Sequence, residues 1–236
     1  KIADLYAGNP LDPAAWRDAV RRAQQHTRAR ARIVEVLQAQ QDHRSAPAAS
    51  REAAARLAGP AVGGVVTGQQ AVVFGGPMYP LLKALTALQL ARKTEREQNV
   101  PAVAIFWVEA EDHDWAEVRS CTVLDAEFQP RTVTLADLEG AGELPIAQLT
   151  LHAGVEGTID DMAALLQQTE FTTPVLADLR AAWKPGTGMA RAFAVWLERV
   201  LGPHGLVVFE SADPAAKPLV ADVFARELAA PGRTAA

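Results

Sequence analysis

Two short apolar runs with a helical stretch between them constrain this fold more than any other feature. Residues 62–66 are rich in β-branched side chains, and Val103-Ala104-Ile105-Phe106-Trp107-Val108 continues the pattern further along the chain. Short, uninterrupted apolar runs of this kind read as buried strands. Between them, residues 79–93 read as a helix with Leu81, Leu82, Leu85, Leu88 and Leu90 on a broad apolar face, and Asn99-Val100-Pro101 closes the connection. Strand, helix and strand in that order predict a parallel pair joined by a right-handed crossover. Both strands then deliver their carboxyl ends to one edge of the sheet, where α/β proteins bind ligands.

Both ends turn polar. The first run leads into Thr67-Gly68-Gln69-Gln70 and then Gly75-Gly76-Pro77-Met78-Tyr79, which reads as a glycine-bearing loop opening onto the helix. The second leads into Glu111-Asp112-His113-Asp114. The chain thus offers two halves of one candidate site.

The remainder of the chain fills out an α/β core. Residues 13–44 read as one helix with a thin apolar stripe of Trp16, Val20, Ile33, Val34 and Leu37. Pro47 ends it, and Ser50 is placed to cap a short helix running to Leu57. Short strands are expected at 121–124, 131–135 and 145–151, as an excursion from the main sheet. Helices follow at 158–169, 188–201 and 215–229, with an apolar strand at 205–209 that ends in Glu210-Ser211-Ala212-Asp213-Pro214. We expect an N-terminal helical segment over residues 1–59 and the core over 60–236, with an insertion at about 119–152.

Composition excludes several classes. The chain has 236 residues, 49% of them hydrophobic, so a sizeable core is available. The net charge of -5 comes without any basic block of the kind that neutralises phosphates along a nucleic acid. A single cysteine, Cys121, rules out a disulfide framework within the chain and any CxxC metal site, and fits a reducing cytosol. No apolar run approaches the roughly 20 residues that span a bilayer. Lys1 in place of an initiator methionine, and an end just past a helical pattern, suggest a piece of a longer protein.

The candidate residues admit two readings each. Backbone N–H groups in a glycine loop before a helix can hold an anion, and Gln69 and Gln70 add neutral donors and acceptors; the same residues also make an ordinary turn. The spacing matches neither GxGxxG nor a Walker loop. Lys83, one turn into the helix, would reach an anion at the loop or snorkel from the helix flank. Three carboxylates around one imidazole are costly unless they meet a cation, an amine or a metal. The alternative is an acidic surface loop in which Asp114 caps a helix begun by Trp115-Ala116-Glu117. No convergent metal ligands can be named. Trp183 would cover a ligand or pack in the core, and Cys121 reads as a buried small hydrophobe. His26, His43, His152 and His204 read as surface or structural residues.

Together these motifs carry a resemblance. Val66-Thr67-Gly68-Gln69-Gln70, Gly75-Gly76-Pro77-Met78-Tyr79 with Lys83, and Phe106-Trp107-Val108 running into Glu111-Asp112-His113-Asp114 resemble the bacillithiol biosynthesis cysteine-adding enzymes. Gly188-Met189-Ala190-Arg191-Ala192-Phe193-Ala194 and Gly205-Leu206-Val207-Val208 add to it. The resemblance covers the chain from about residue 60 onward. It implies a Rossmann-like, nucleotidyltransferase-type parallel sheet with inserted segments, in a cytoplasmic homodimer about twice this length that dimerises through a C-terminal coiled coil. It also implies a ligase that joins L-cysteine to the amino group of glucosaminyl-malate, with ATP or ADP as the associated nucleotide. Our own assignment of roles, added to that resemblance, makes Glu111, Asp112 and His113 the expected catalytic residues. Thr67, Gly68, Gln69, Gln70, Gly75, Gly76, Tyr79, Lys83 and Asp114 are expected to bind substrate, with no metal. Two alternatives stay open: a nucleotidyltransferase that adenylates another small acid, and a binding module of the same fold without catalysis.

Overall fold

The pattern of inward and outward side chains along the central strand explains the layering. The computed structural model describes residues 8–9, 11–25, 28–230 and 232. In β2 (Ala102–Glu109), Ala102, Ala104, Phe106 and Val108 face one hydrophobic core, while Val103 and Ile105 face a second. A strand apolar on both faces must be covered on both, so the sheet sits between helical layers. β2 pairs in parallel with β1 (Gly63–Gln70) on one side and β5 (Val207–Glu210) on the other, giving a three-stranded sheet in the order β1-β2-β5. The first core takes in α4 (Tyr79–Gln98) and α8 (Met189–Leu201). The second takes in α2 (Arg30–Arg44) and α3 (Ala48–Arg56). Asn99, in the left-handed conformation, ends α4 and turns the chain into β2.

The sheet corrects one central expectation. Residues 67–70 are not a loop: they continue β1 in register with β2, from Thr67 opposite Phe106 to Gln70 opposite Glu109. Gly68 serves the pairing, because a Cβ there would lie 2.7 Å from the Trp107 carbonyl oxygen. The connection to α4 is residues 71–78, tightened by a 3-10 turn at Val73–Gly75. The polar run prolongs the strand because β2 is long enough to pair with all of it.

Other elements shift for similar reasons. The helix expected over 13–44 is described as α1 (Pro13–Gln24), capped by the Asp12 side chain, and α2; His26 and Thr27 lie outside the described residues. Ser50 is not a cap. It is buried inside α3 and donates through Oγ to the Leu206 carbonyl at 2.7 Å, a tertiary bond with no sequence signature. On α4 the buried stripe is Pro80, Ala84, Ala87, Leu88 and Ala91, while Leu82 and Leu85 are exposed; small alanines let the helix lie close on the sheet.

The excursion after β2 comprises α5 (Trp115–Val118) and a hairpin of β3 (Ser120–Leu124) and β4 (Pro130–Thr134). Residues 145–151 are not a strand but a 3-10 turn at Ile146–Gln148 followed by a lone bridge from Thr150 to Gly188. Helices α6 (Gly154–Leu165) and α7 (Thr172–Ala182) come next; α7 is not among the helices expected from the sequence. Past β5, the expected last helix divides into a 3-10 segment, Pro214–Val220, with Pro218 inside it, and α9 (Ala221–Ala229).

Candidate functional site

The carboxyl ends of β1, β2 and β5 lie side by side, and the polar residues gather there in two halves on either side of β2. In the first half, Gln70 at the end of β1 donates through Nε2 to Asp112 Oδ2 at 2.8 Å, and to Glu117 Oε2 at 3.3 Å. This bond joins the two halves read from the sequence. Lys83 reaches back from α4 and donates to Gln69 Oε1 at 2.8 Å and to the Gly68 carbonyl at 3.3 Å, with its ammonium 4.8 Å from the centre of the Tyr79 ring. Tyr79 itself is exposed.

The acidic loop resolves residue by residue. Asp112 Oδ1 accepts from the backbone N–H of His113 at 2.7 Å and of Asp114 at 3.2 Å. The Gln70 hydrogen bond first, then these backbone bonds, hold the Asp112 carboxyl below the usual aspartate range. His113 is exposed, with Nδ1 3.8 Å from Asp112 Oδ1. Asp114 accepts from the Glu117 N–H at 3.3 Å and caps α5, the bland alternative for this residue. Glu111 does meet an ammonium group, but it is that of Lys217, which also donates to the Ser211 carbonyl at 3.2 Å. Lys217 comes from the 3-10 segment after β5, too far along the chain for any local pattern to pair it with Glu111.

The glycine turn has a different role from the one expected. Gly75 has φ +86°, and a Cβ there would lie 2.4 Å from the Trp196 ring; at Gly76, with φ +62°, it would lie 2.7 Å from Val72. Their N–H groups donate to the carbonyls of Val72 and Val73 at 3.2 and 2.9 Å. A phosphate or carboxylate cradle needs free amides, and these two are committed to the turn. The pair instead lets the chain pass against the aromatic cluster of Phe74, Trp183, Phe193 and Trp196. Trp183 is buried there as a packing residue. Cys121 is also buried, and burial pushes its thiol pKa up, away from nucleophilic use.

The second half lies between β2 and β5, around a cleft of about 300 Å³ lined by His43, Ala110, Ala147, Arg191, Glu210 and Asp213 among others. Its wall is fixed by backbone bonds from Ile146 to the Asp112 carbonyl and from Ala147 to the Ala110 carbonyl, both 2.9 Å. Glu210 accepts from Arg191 Nε at 3.0 Å and from Arg44, whose side chain is wholly buried. Arg44 also donates to Glu198 Oε2 at 2.7 Å and to the Val208 carbonyl at 2.8 Å. Burial works against its charge, but hydrogen bonds and Coulomb attraction from Glu198 and Glu210 outweigh that and raise its pKa above the usual arginine value. Gln40 closes the network, donating to the Glu210 carbonyl at 3.1 Å and to Asp213 Oδ2 at 2.9 Å. Sequence reading finds Glu210 and Asp213 but misses Arg44, on a helix far from β5 in the chain, and gives no site role to Arg191, on the helix just before β5. Among the described residues no group of three or more His, Cys, Asp or Glu side chains is arranged to hold a metal ion.

A parallel sheet between helical layers, with its polar residues at the carboxyl edge, defines a Rossmann-like protein. The family description "Bacillithiol biosynthesis BshC, N-terminal Rossmann-like domain" matches residues 1–235, and the chain belongs to that family. Three curated relatives carry the name "Putative cysteine ligase BshC". The protein of Symbiobacterium thermophilum is 37% identical over 76% of this chain and 34% of its own length. That of Salinibacter ruber is 31% identical over 98% of this chain and 42% of its own. That of Chlorobaculum tepidum is 34% identical over 83% of this chain and 35% of its own. The matched part is thus 34 to 42% of each of these relatives. No helix among the described residues is long and apolar enough to cross a membrane.

Proposed function

We propose that this chain forms the Rossmann-like part of a cytoplasmic, homodimeric ligase that joins L-cysteine to the amino group of glucosaminyl-malate, the last step of bacillithiol synthesis. The observation that carries this reading is the 2.8 Å bond from Gln70 to Asp112, which draws the two motifs of a BshC-family chain into one polar site. Amide formation needs an uncharged amine facing an activated carboxyl carbon. His113, exposed beside the Asp112 carboxylate, takes the proton from the amine as the new C–N bond forms and the leaving group departs from the carbonyl carbon. Asp112 orients the loop and offers a negative charge to the incoming ammonium group. Gln69, Gln70, Lys83 and Tyr79 bind the polar body of the substrate, with Thr67 and Gly68 behind them in β1. Glu111, paired with Lys217, fixes the loop against the segment after β5. ATP or ADP is the nucleotide we associate with the reaction. The turn at Gly75 and Gly76 does not fit its phosphates, so no step is routed through a nucleotide there.

The test is His113→Ala in the full-length protein, with the cysteine adduct of glucosaminyl-malate followed by mass spectrometry. Loss of a general base lowers such rates by about a hundredfold or more. A wild-type rate of adduct formation in the variant would remove His113 from the mechanism.

A further inference from the structure

The cleft between β2 and β5 carries an arginine built for an anion. Arg191, in the first turn of α8, uses only Nε on Glu210, at 3.0 and 2.9 Å to its two carboxylate oxygens. Its two terminal nitrogens have no partner among the described residues, and the side chain is 37% exposed along the cleft. The carboxylate that holds it is itself held: Glu210 is 13% exposed and paired to Arg44, a guanidinium with no exposure at all. Arg44 is locked in turn by both oxygens of Glu198 and by the Val208 carbonyl. A fork gripped on one side by such a chain has its other side fixed in direction before any ligand arrives, so little rotamer entropy is left to lose on binding.

The facing groups do not satisfy that fork. Glu210 is shared between two arginines, Asp213 accepts from Gln40 and from the Ala215 N–H, and His43 adds no carboxylate. The small residues Ala110, Ala147, Gly188 and Ala190 leave room for a compact ligand within about 300 Å³.

We infer that Arg191 is the oxyanion receptor of this site. It takes a carboxylate or phosphate oxygen of a small molecule in the β2/β5 cleft, while Glu210 and Arg44 act as the positioning residues that aim it. Ala110 and Ala147 line the cleft, and the neighbouring Ile146 N–H donates to the Asp112 carbonyl, so the cleft adjoins the acidic loop. The anion has two candidate sources, a malate-type carboxylate or a nucleotide phosphate. The choice of L-malate as a probe rests on the ligase reading above; the Arg191 geometry does not.

The experiment is calorimetric titration of the full-length protein with L-malate and, separately, with inorganic pyrophosphate. Wild type is expected to bind at least one of them. Arg191→Gln should weaken that binding by about ten- to a hundredfold, the range of one charged hydrogen-bonding contact. Arg191→Lys should recover only part of the loss, because an ammonium cannot replace the planar fork. Glu210→Gln should weaken binding without removing the receptor itself. Arg180→Gln, which loses a surface arginine paired to Asp160, should bind as wild type does. Whichever probe responds to Arg191 names the source of the anion. Equal affinity in wild type and Arg191→Gln, or no binding of either probe to wild type, overturns the inference. Should Arg191→Gln fail to fold, the Arg191→Lys titration decides by the same comparison. Adduct formation from cysteine, measured in parallel, separates the two ideas. Ligation unaffected by Arg191→Gln leaves the ligase reading standing without this receptor, and Arg191-dependent binding without ligation leaves the receptor without the ligase.

Discussion

Gln70 and Asp112 show how a residue acquires its role from a neighbour it cannot foresee. Alone, Asp112 is one carboxylate in an acidic run; across from Gln70 it becomes the point where two strand ends meet. Its carboxyl is held below the usual range mainly by that bond. A depressed pKa means the bond favours the ionised form, so its support is present above the ordinary aspartate value and fades as pH falls through the folded one. Gln70→Leu should therefore raise the Asp112 pKa toward the ordinary value, read from the carboxyl carbon shift in an NMR titration. No change in that titration would mean that the backbone bonds from His113 and Asp114 carry the effect alone. The glycines teach the same lesson in reverse. Gly75 and Gly76 suggest an anion cradle in the sequence, and it is the ring of Trp196 and the side chain of Val72 that require them.

Among the elements, α2 matters more than its thin apolar stripe suggests. Through Arg44 it reaches Glu198 on α8 and Glu210 and Val208 on β5, which ties one helical layer to the other across the end of a strand. Breaking a buried pair by removing one partner leaves an uncompensated charge, at a cost of about 3–5 kcal/mol. Arg44→Met should lower the stability of the chain by that order in chemical denaturation. Adding Glu198→Met should recover part of the loss, because the stranded carboxylate goes as well. Additive losses in the double variant would show that packing, and not charge, is what Arg44 supplies. Ser50 belongs to the same joint, bonded to the Leu206 carbonyl and within 3.3 Å of Glu198.

At the scale of the whole molecule, one face of the sheet is left partly open. Val66, Trp107 and Phe224 are exposed by 60, 39 and 59%, around an apolar groove of about 390 Å³ between the sheet and α9. Contiguous apolar surface of this kind is uncommon on a soluble monomer. The 236-residue chain should bind a hydrophobic dye such as anilinonaphthalene sulfonate in its native state, and Phe224→Ser should reduce the fluorescence. Equal fluorescence with and without Phe224 would place the dye elsewhere. The same architecture puts both halves of the candidate site on a single edge, because all three strands are parallel and start from the same side.

Much of this was legible in the chain itself. Hydrophobic periodicity alone located β1, α4, β2, α8 and β5, since a strand buried on both faces and an amphipathic helix each leave a pattern a few residues long. The capping role of Asp114 and the inertness of Cys121 were also readable, because both depend on near neighbours or on residue type. What the chain could not reveal was every contact that spans it: Arg44 with Glu198 and Glu210, Lys217 with Glu111, Ser50 with Leu206, and the Gln70–Asp112 bond. Nor could it show that residues 67–70 stay in the strand, because that depends on the length of the partner they pair with. Local order follows from the spacing of apolar side chains. The charges and amides of the site are decided by which segments the assembled sheet brings to its carboxyl edge.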